Sequence, residues 1–491
     1  MAFRIDSCGV VLTNDKLIDE LLDDAKDWAA TNGMCIRSSE QPWSSDVVEI
    51  MPFTLFPSPV PRKLFNEAMS LQKVMNELYY RVAIDKEFIT SCLADIAAAD
   101  PFIAKLLDIY LAVMNSNDHE ERIFLNIQRA DYMFHKEEEN INRSLVLKQV
   151  EVNNISAGLA AIGPVCTKLH ERVMRKAEYA CEAQYYCLPE NSSENVVSVG
   201  LFEAWKVYGN KKAAVIFMVE DHPRNIADQR LIEHQLERLS EYTAMVVRLK
   251  FSESPKRLLM VGSTLHLIPE NVEIGVVYFR TAYSPDQFDN DSVWSALRLI
   301  EMSSAIKCPW IGFHLAGIKK VQQTLSFPKN LNRFVQDAET RRRILSVTMP
   351  MFGFDRSSSA ADWETILSQV VKEPNDYVLK PSREGGGHNF YQDDMVELLR
   401  SCGPTERQAY ILMKRIKPSV HTNVFVKRNV ESKLQACNSE LGVFGYLLGN
   451  MRKIFHQRDG TFILRTKLHS ENEGGLMHGT ACVDSPFIYD N

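Results

Sequence analysis

Two apolar runs, residues 213–219 and 274–279, constrain this chain more than any other feature, because a helical pattern at 226–239 and a further strand-like run at 244–249 lie between them. Short runs that are apolar throughout belong to strands buried on both faces. A strand–helix–strand order then closes as a parallel βαβ unit. An α/β fold with a parallel sheet is therefore expected between about 213 and 317. Ligands of such sheets bind beyond the carboxyl ends of the strands, where Arg280 projects after the run at 274–279. A helix is predicted over 292–306.

On either side of this unit the pattern is mixed. From Asn14, a helix cap by residue type, Leu17, Ile18, Leu21, Leu22, Ala25 and Trp28 recur at helical spacing until Gly33. The proline-rich stretch 52–61 reads as a turn. Strands are expected at 123–127 and 144–153, with an acidic turn at 136–142, and again at 377–380, 409–413, 437–441, 443–447 and 462–467.

The strand at 377–380 runs straight into KPSREGGGHN at 380–389. Gly385, Gly386 and Gly387 leave their N–H groups uncovered, so the loop can wrap a polyphosphate. Lys380 can neutralise phosphate oxygens and Glu384 can hold a Mg²⁺ that bridges them. The plain alternative is a glycine turn. His388 beside the glycines reads as a loop residue rather than a base.

In 144–153, alternation places Gln149, Glu151 and Asn153 on one strand face, with Val150 and Val152 on the other. Glu151 and Asn153 offer two hard oxygen ligands one pleat apart, or simply an exposed polar face. Arg129, at the end of its strand-like run, either forms a surface ion pair with Asp131 or presents a guanidinium fork to a carboxylate. Arg465 and Lys467 share one strand face before the loop 473–479, a placement suited to an anion. Asn225 and Gln229 share one face of a helix start after Pro223, as solvated residues or as ligand contacts.

A net charge of −7 argues against a broad nucleic-acid surface, and the basic cluster Arg341 to Arg343 reads as a solvated helix face. Ten cysteines without paired spacing indicate neither a zinc site nor a disulfide framework. No apolar run approaches the roughly 18 residues that span a bilayer, and the start of the sequence lacks a signal-peptide core. A cytoplasmic protein without membrane or nucleic-acid partners is expected.

At these residues the chain resembles the eukaryotic glutathione synthetases, a family of the ATP-grasp superfamily. The resemblance is carried by MPFTLFP at 51–57, RADYMF at 129–134, QVEVNNISAG at 149–158, NIADQR at 225–230, VVYFRTAY at 276–283, AGIKKVQQ at 316–323, KPSREGGGHNFY at 380–391, YILM at 410–413, SELGVFG at 439–445 and LRTK at 464–467. It implies an ATP-grasp fold with an inserted parallel-sheet substrate domain and a lid. The core would comprise 1–212 and 319–491, and the insert 213–318.

The reaction it implies joins γ-glutamylcysteine to glycine at the expense of ATP, with Mg²⁺ as cofactor, in a homodimer. By resemblance, Lys319 and Lys380 contact ATP phosphates, while Glu151, Asn153 and Glu384 hold Mg²⁺. The glycines 385–387, Asn389, Tyr391, Met413, Ile416, Glu440, Lys467 and Glu473 complete the nucleotide site. Arg129, Ser156, Gly158, Asn225, Gln229, Arg280, Tyr283, Arg465, Leu476 and Met477 fall to the peptide substrates. Of these, Arg129, Lys380 and Arg465 are the expected catalytic cations.

The chain departs from the family pattern at four places. Gly158 replaces a serine, Pro223-Arg224 stands where an acidic residue is common, Lys414-Arg415 alters the adenine strand, and Leu476-Met477-His478 replaces small residues in a closing loop. Two other classes stay in view: a phosphotransferase using the same ATP site, or a related ligase with another amine acceptor, and a non-catalytic scaffold.

Overall fold

The computed structural model describes residues 3–12, 16–137, 144–179, 188–192, 196–355, 360–383, 388–476 and 479–490. A 15-stranded mixed sheet forms its spine, with the long strands Ile454–Leu468, Leu434–Gly449 and Phe124–Lys136 side by side near the middle. Alternation along each strand feeds two cores. Ala214, Ile216 and Met218 pack on one face with the helices Arg62–Ile84, Lys86–Ala99 and Pro101–Met114. Val215, Phe217 and Val219 pack on the other with Lys16–Thr31, Ile162–Tyr179 and Val196–Tyr208. Both faces are thus covered, which is why these strands are apolar throughout.

The βαβ expectation holds. Ala214–Val219 pairs in parallel with Val246–Lys250 across the helix Ile226–Leu239, and Val272–Phe279 pairs in parallel with Ala214–Val219. The helix expected at 292–306 ends at Met302, because the chain must turn at Ser303 to enter the parallel strand Ile306–Cys308. The stretch 52–61 holds two short strands, Phe53–Thr54 and Ser58–Pro61, rather than a turn alone. Prolines are tolerated in the second because among the described residues it pairs with Pro486–Tyr489 alone, a two-stranded edge pairing.

The strand expected at 123–127 continues to Lys136, so Arg129 lies inside it and not at its end. The strands expected at 437–441 and 443–447 are one, Leu434–Gly449. Gly442 does not break it; an added Cβ there would stand 2.8 Å from Arg129 Cδ and from Asp131 Oδ1, so the glycine makes room for that pair. The first helix begins at Lys16, and Asn14 lies outside the described residues. The eight cysteines among the described residues are free thiols.

A separate three-stranded antiparallel sheet, in the order Met351–Gly353, Tyr410–Lys414, Tyr377–Pro381, faces the large one. The gap between the two sheets is where the site lies.

One glycine tests how tightly the helices are set on the spine. An added Cβ at Gly163 would stand 2.3 Å from the carbonyl oxygen of Phe462, so Gly163→Ala must lift the helix Ile162–Tyr179 from the strand Ile454–Leu468. A stability loss of about 1–3 kcal/mol is expected in urea unfolding. A change below about 0.3 kcal/mol would show that this contact gives way freely.

Candidate active site

Between the two sheets opens a cavity of about 1530 Å³. This exceeds the roughly 300–1,000 Å³ of an ordinary ligand pocket and leaves room for more than one reactant. Glu151, Asn153, Glu440, Arg465 and Lys467 line it from the large sheet, and Val378, Lys380 and Met413 from the small one. Residues remote in sequence therefore share one cavity, with the large sheet as one wall.

Glu151 reaches that wall through a bulge. The pairing of Leu145–Asn153 with Phe124–Lys136 shifts register between Asp131 and Tyr132, so simple alternation fails at Val150. Gln149 turns inward to Met75 and the Tyr132 hydroxyl, whereas Glu151 and Asn153 face the cavity. The expectation that all three share a face is corrected accordingly.

Burial opposes the Glu151 charge, but Lys319, Lys380, Arg129 and Arg465 outweigh it and hold the carboxyl at about 2. Lys319 Nζ stands 3.6 Å from Glu151 Oε2 and donates to the Arg383 carbonyl at 3.0 Å. Lys380 Nζ donates to the Val150 carbonyl at 3.3 Å; its burial lowers its pKa, and Glu151 partly restores it. A carboxylate ringed by cations, with those cations also facing open space, suits an anion and a metal together.

The arginines are held by Asp131, which is fully buried. Its Oδ1 accepts from Arg129 Nε at 2.7 Å and its Oδ2 from Arg129 Nη2 at 2.8 Å, Arg465 Nη2 at 2.9 Å and Asn153 Nδ2 at 2.9 Å. Arg465 also pairs with Glu440, and Arg129 Nη1 donates to the Gly158 carbonyl at 3.1 Å. The Arg129–Asp131 pair is thus a buried clamp and not a surface ion pair. Sequence reasoning missed its weight, although Arg129 and Asp131 are two apart in one strand, the spacing that puts both on one face.

An apolar slot of Met133, Val150, Val378, Met413, Ile416 and Tyr391 adjoins the cations, with the Arg415 guanidinium 5.2 Å from the Tyr391 ring centre. Glu473 Oε1 accepts from the Asn389 N–H at 3.1 Å. At the other end, Ser156, Gly158, Asn225 and Tyr283 line the wall, as does buried Leu476. Gln229 and Arg280 sit behind it: Gln229 Nε2 donates to Asn225 Oδ1 at 2.7 Å, and Arg280 Nη1 to the Ala157 carbonyl at 2.9 Å. An added Cβ on Gly158 would come 3.0 Å from Arg280 Nη2, so the glycine leaves that guanidinium its place.

Glu384, Gly385, Gly386, Gly387, Met477 and His478 lie outside the described residues. Among the described residues no group of three or more His, Cys, Asp or Glu is placed to hold a metal ion. Two donors nevertheless fit Mg²⁺. Glu151 is ionised, and Asn153 spends its amide nitrogen on Asp131, which leaves its amide oxygen as the free ligand atom.

Comparison with known proteins gives one answer. The family model for the eukaryotic glutathione synthase ATP-binding domain matches residues 15–488. Glutathione synthetase of Rattus norvegicus is 34% identical over 483 residues, covering 98% of this chain and 99% of the relative. That of Xenopus laevis is 33% identical over 480 residues, with 97% and 98% covered, and that of Homo sapiens 32% over 481, with 98% of each. Among solved structures, a glutathione synthetase-like effector from Globodera pallida in apo form superposes with a TM-score of 0.75 at 26% identity, covering 97% of this chain and 98% of that one.

The Asp131 clamp yields its own test. Asp131→Asn removes the counter-charge of buried Arg129 and one of the two carboxylates that Arg465 pairs with, and a loss of about 3–5 kcal/mol in denaturant unfolding is expected. A loss under about 1 kcal/mol would mean that Arg129 and Arg465 hold their positions without it.

Proposed function

The chain belongs to the eukaryotic glutathione synthase family, and on that premise we propose how its cavity performs the ligation of γ-glutamylcysteine to glycine. It is an ATP-dependent carboxylate–amine ligase. The observation that carries the reading is the convergence of Lys319, Lys380, Arg129 and Arg465 on one carboxylate, Glu151, in a cavity spacious enough for several reactants.

Adenine takes the slot of Met413, Ile416 and Tyr391, with Glu440, Asn389, Lys467 and Glu473 around the rest of the nucleoside and phosphates. Lys319 and Lys380 take the phosphate oxygens. Their burial lowers the cost of meeting a polyanion, since a partly dehydrated ammonium gains more from a close negative charge than a hydrated one does. Glu151, Asn153 and Glu384 would hold Mg²⁺, which when bound draws negative charge from the phosphate oxygens during transfer.

The terminal carboxylate of γ-glutamylcysteine attacks the γ-phosphorus, ADP leaves, and an acyl phosphate forms. The glycine amine then attacks the acyl carbon and phosphate departs. Arg129 and Arg465, fixed by Asp131, face the reacting carboxylate and its developing charge without having to reorganise. Positioning two reactants in line supplies on the order of 7–11 kcal/mol of the barrier, so no protein nucleophile is required. Ser156, Gly158, Asn225 and Tyr283 hold the dipeptide, Gln229 and Arg280 brace that wall from behind, and Leu476 borders the acceptor. A homodimer in the cytoplasm completes the proposal; the sequence resemblance is its support.

ADP release is expected to require both γ-glutamylcysteine and glycine, with glutathione formed one for one by mass spectrometry. A stable phosphate ester as product would instead favour a phosphotransferase. Glu151→Gln is expected to lower turnover by about 100-fold or more while the far-ultraviolet circular dichroism stays unchanged. Activity within about threefold at saturating magnesium would remove Glu151 from the assignment.

A further inference from the structure

Glu220 follows directly on the strand Ala214–Val219 and lines the cavity beside Asn225, Tyr283 and Gly158. Two neutral donors reach it, and both reach the same oxygen. Oε1 accepts from the Tyr283 hydroxyl at 3.0 Å and from Gln287 Nε2 at 3.3 Å. Gln287 is in turn fixed, because its Oε1 accepts the Tyr283 N–H at 3.0 Å within the turn Pro285–Gln287. The carboxylate is therefore held in one orientation, with Oε2 left over. Among the described residues Glu220 forms no ion pair.

A half-buried carboxylate that has neutral hydrogen-bond donors but no cation in contact is out of balance, since buried charges are ordinarily paired. The burial raises its pKa, and the nearby Arg280 charge offsets this only in part. Asp286, which also lines the cavity, adds a second negative charge rather than relief. A cation arriving with a ligand would complete the arrangement. Of the dipeptide's groups, the α-ammonium of its γ-glutamyl end is the one that keeps a positive charge throughout the reaction.

We infer that Glu220 is a specificity-determining residue that receives the α-ammonium of the γ-glutamyl residue, an assignment that rests on the ligase reading above. Tyr283 and Gln287 then act as positioning residues, holding the carboxylate toward the cavity. Charge recognition of this kind discriminates against a substrate that lacks the charged group.

The test compares kcat/KM for γ-glutamylcysteine with that for glutarylcysteine, the same molecule without the α-amine, in the unsubstituted enzyme, Glu220→Gln and Glu220→Ala. The unsubstituted enzyme is expected to prefer the amine-bearing substrate by about 100-fold or more. Both variants should lose that preference to within about fivefold, while KM for ATP changes less than about twofold. Two variants are read so that poor folding of one leaves the other. A preference retained in a variant with normal KM for ATP would overturn the Glu220 assignment alone. Failure of the unsubstituted enzyme to make glutathione would overturn the reading beneath it.

Discussion

One buried carboxylate organises the site. Asp131 has no exposure to solvent, yet it accepts from Arg129, Arg465 and Asn153, and so joins two arginines and a candidate metal ligand from three different strands. A buried anion with a single cation would be costly; with two guanidiniums and an amide around it, each partner satisfies the others. The arginines gain a fixed direction, and part of each guanidinium still borders the cavity. Glu440 plays a weaker version of the same role for Arg465, and its own pKa is raised by burial despite that cation.

The large sheet makes this convergence possible. Phe124–Lys136 pairs with Leu434–Gly449 and Leu145–Asn153, and Leu434–Gly449 pairs with Ile454–Leu468. Neighbouring strands lie about 5 Å apart, so residues more than 300 positions apart in sequence become adjacent. Register then does the rest: Gly442 faces Asp131, and Glu440 faces both Met133 and Arg465. The small sheet brings Lys380 from the opposite side. The device resembles two palms, one broad and one small, with the charged residues on the facing surfaces.

Much of this was legible in the sequence, for identifiable reasons. The parallel unit at 214–279 announces itself because two of its strands, at 214–219 and 274–279, are buried on both faces and carry no charged side chain. Glu151, Asn153, Lys380 and Arg465 were also readable as chemistry-bearing groups. Three things were not. The bulge at Val150 leaves no mark in the alternation, so alternation alone puts Gln149 on the wrong face. Gly442 reads as a strand end, although it sits mid-strand to admit the Arg129 side chain. Glu220 looks like an ordinary acid at a strand terminus until Tyr283 and Gln287, more than 60 positions away, are seen on one of its oxygens. Each miss depends on a contact between distant segments, which no local pattern encodes.

The central claim is that a substrate carboxylate is phosphorylated in this cavity before an amide bond forms, and oxygen transfer measures that step directly. γ-Glutamylcysteine carrying ¹⁸O in both oxygens of its terminal carboxylate is supplied with ATP, magnesium and glycine, and the released phosphate is analysed by mass. The account predicts one ¹⁸O atom in each phosphate and one retained in the new peptide carbonyl. Phosphate without the label, formed while glutathione accumulates, would contradict it.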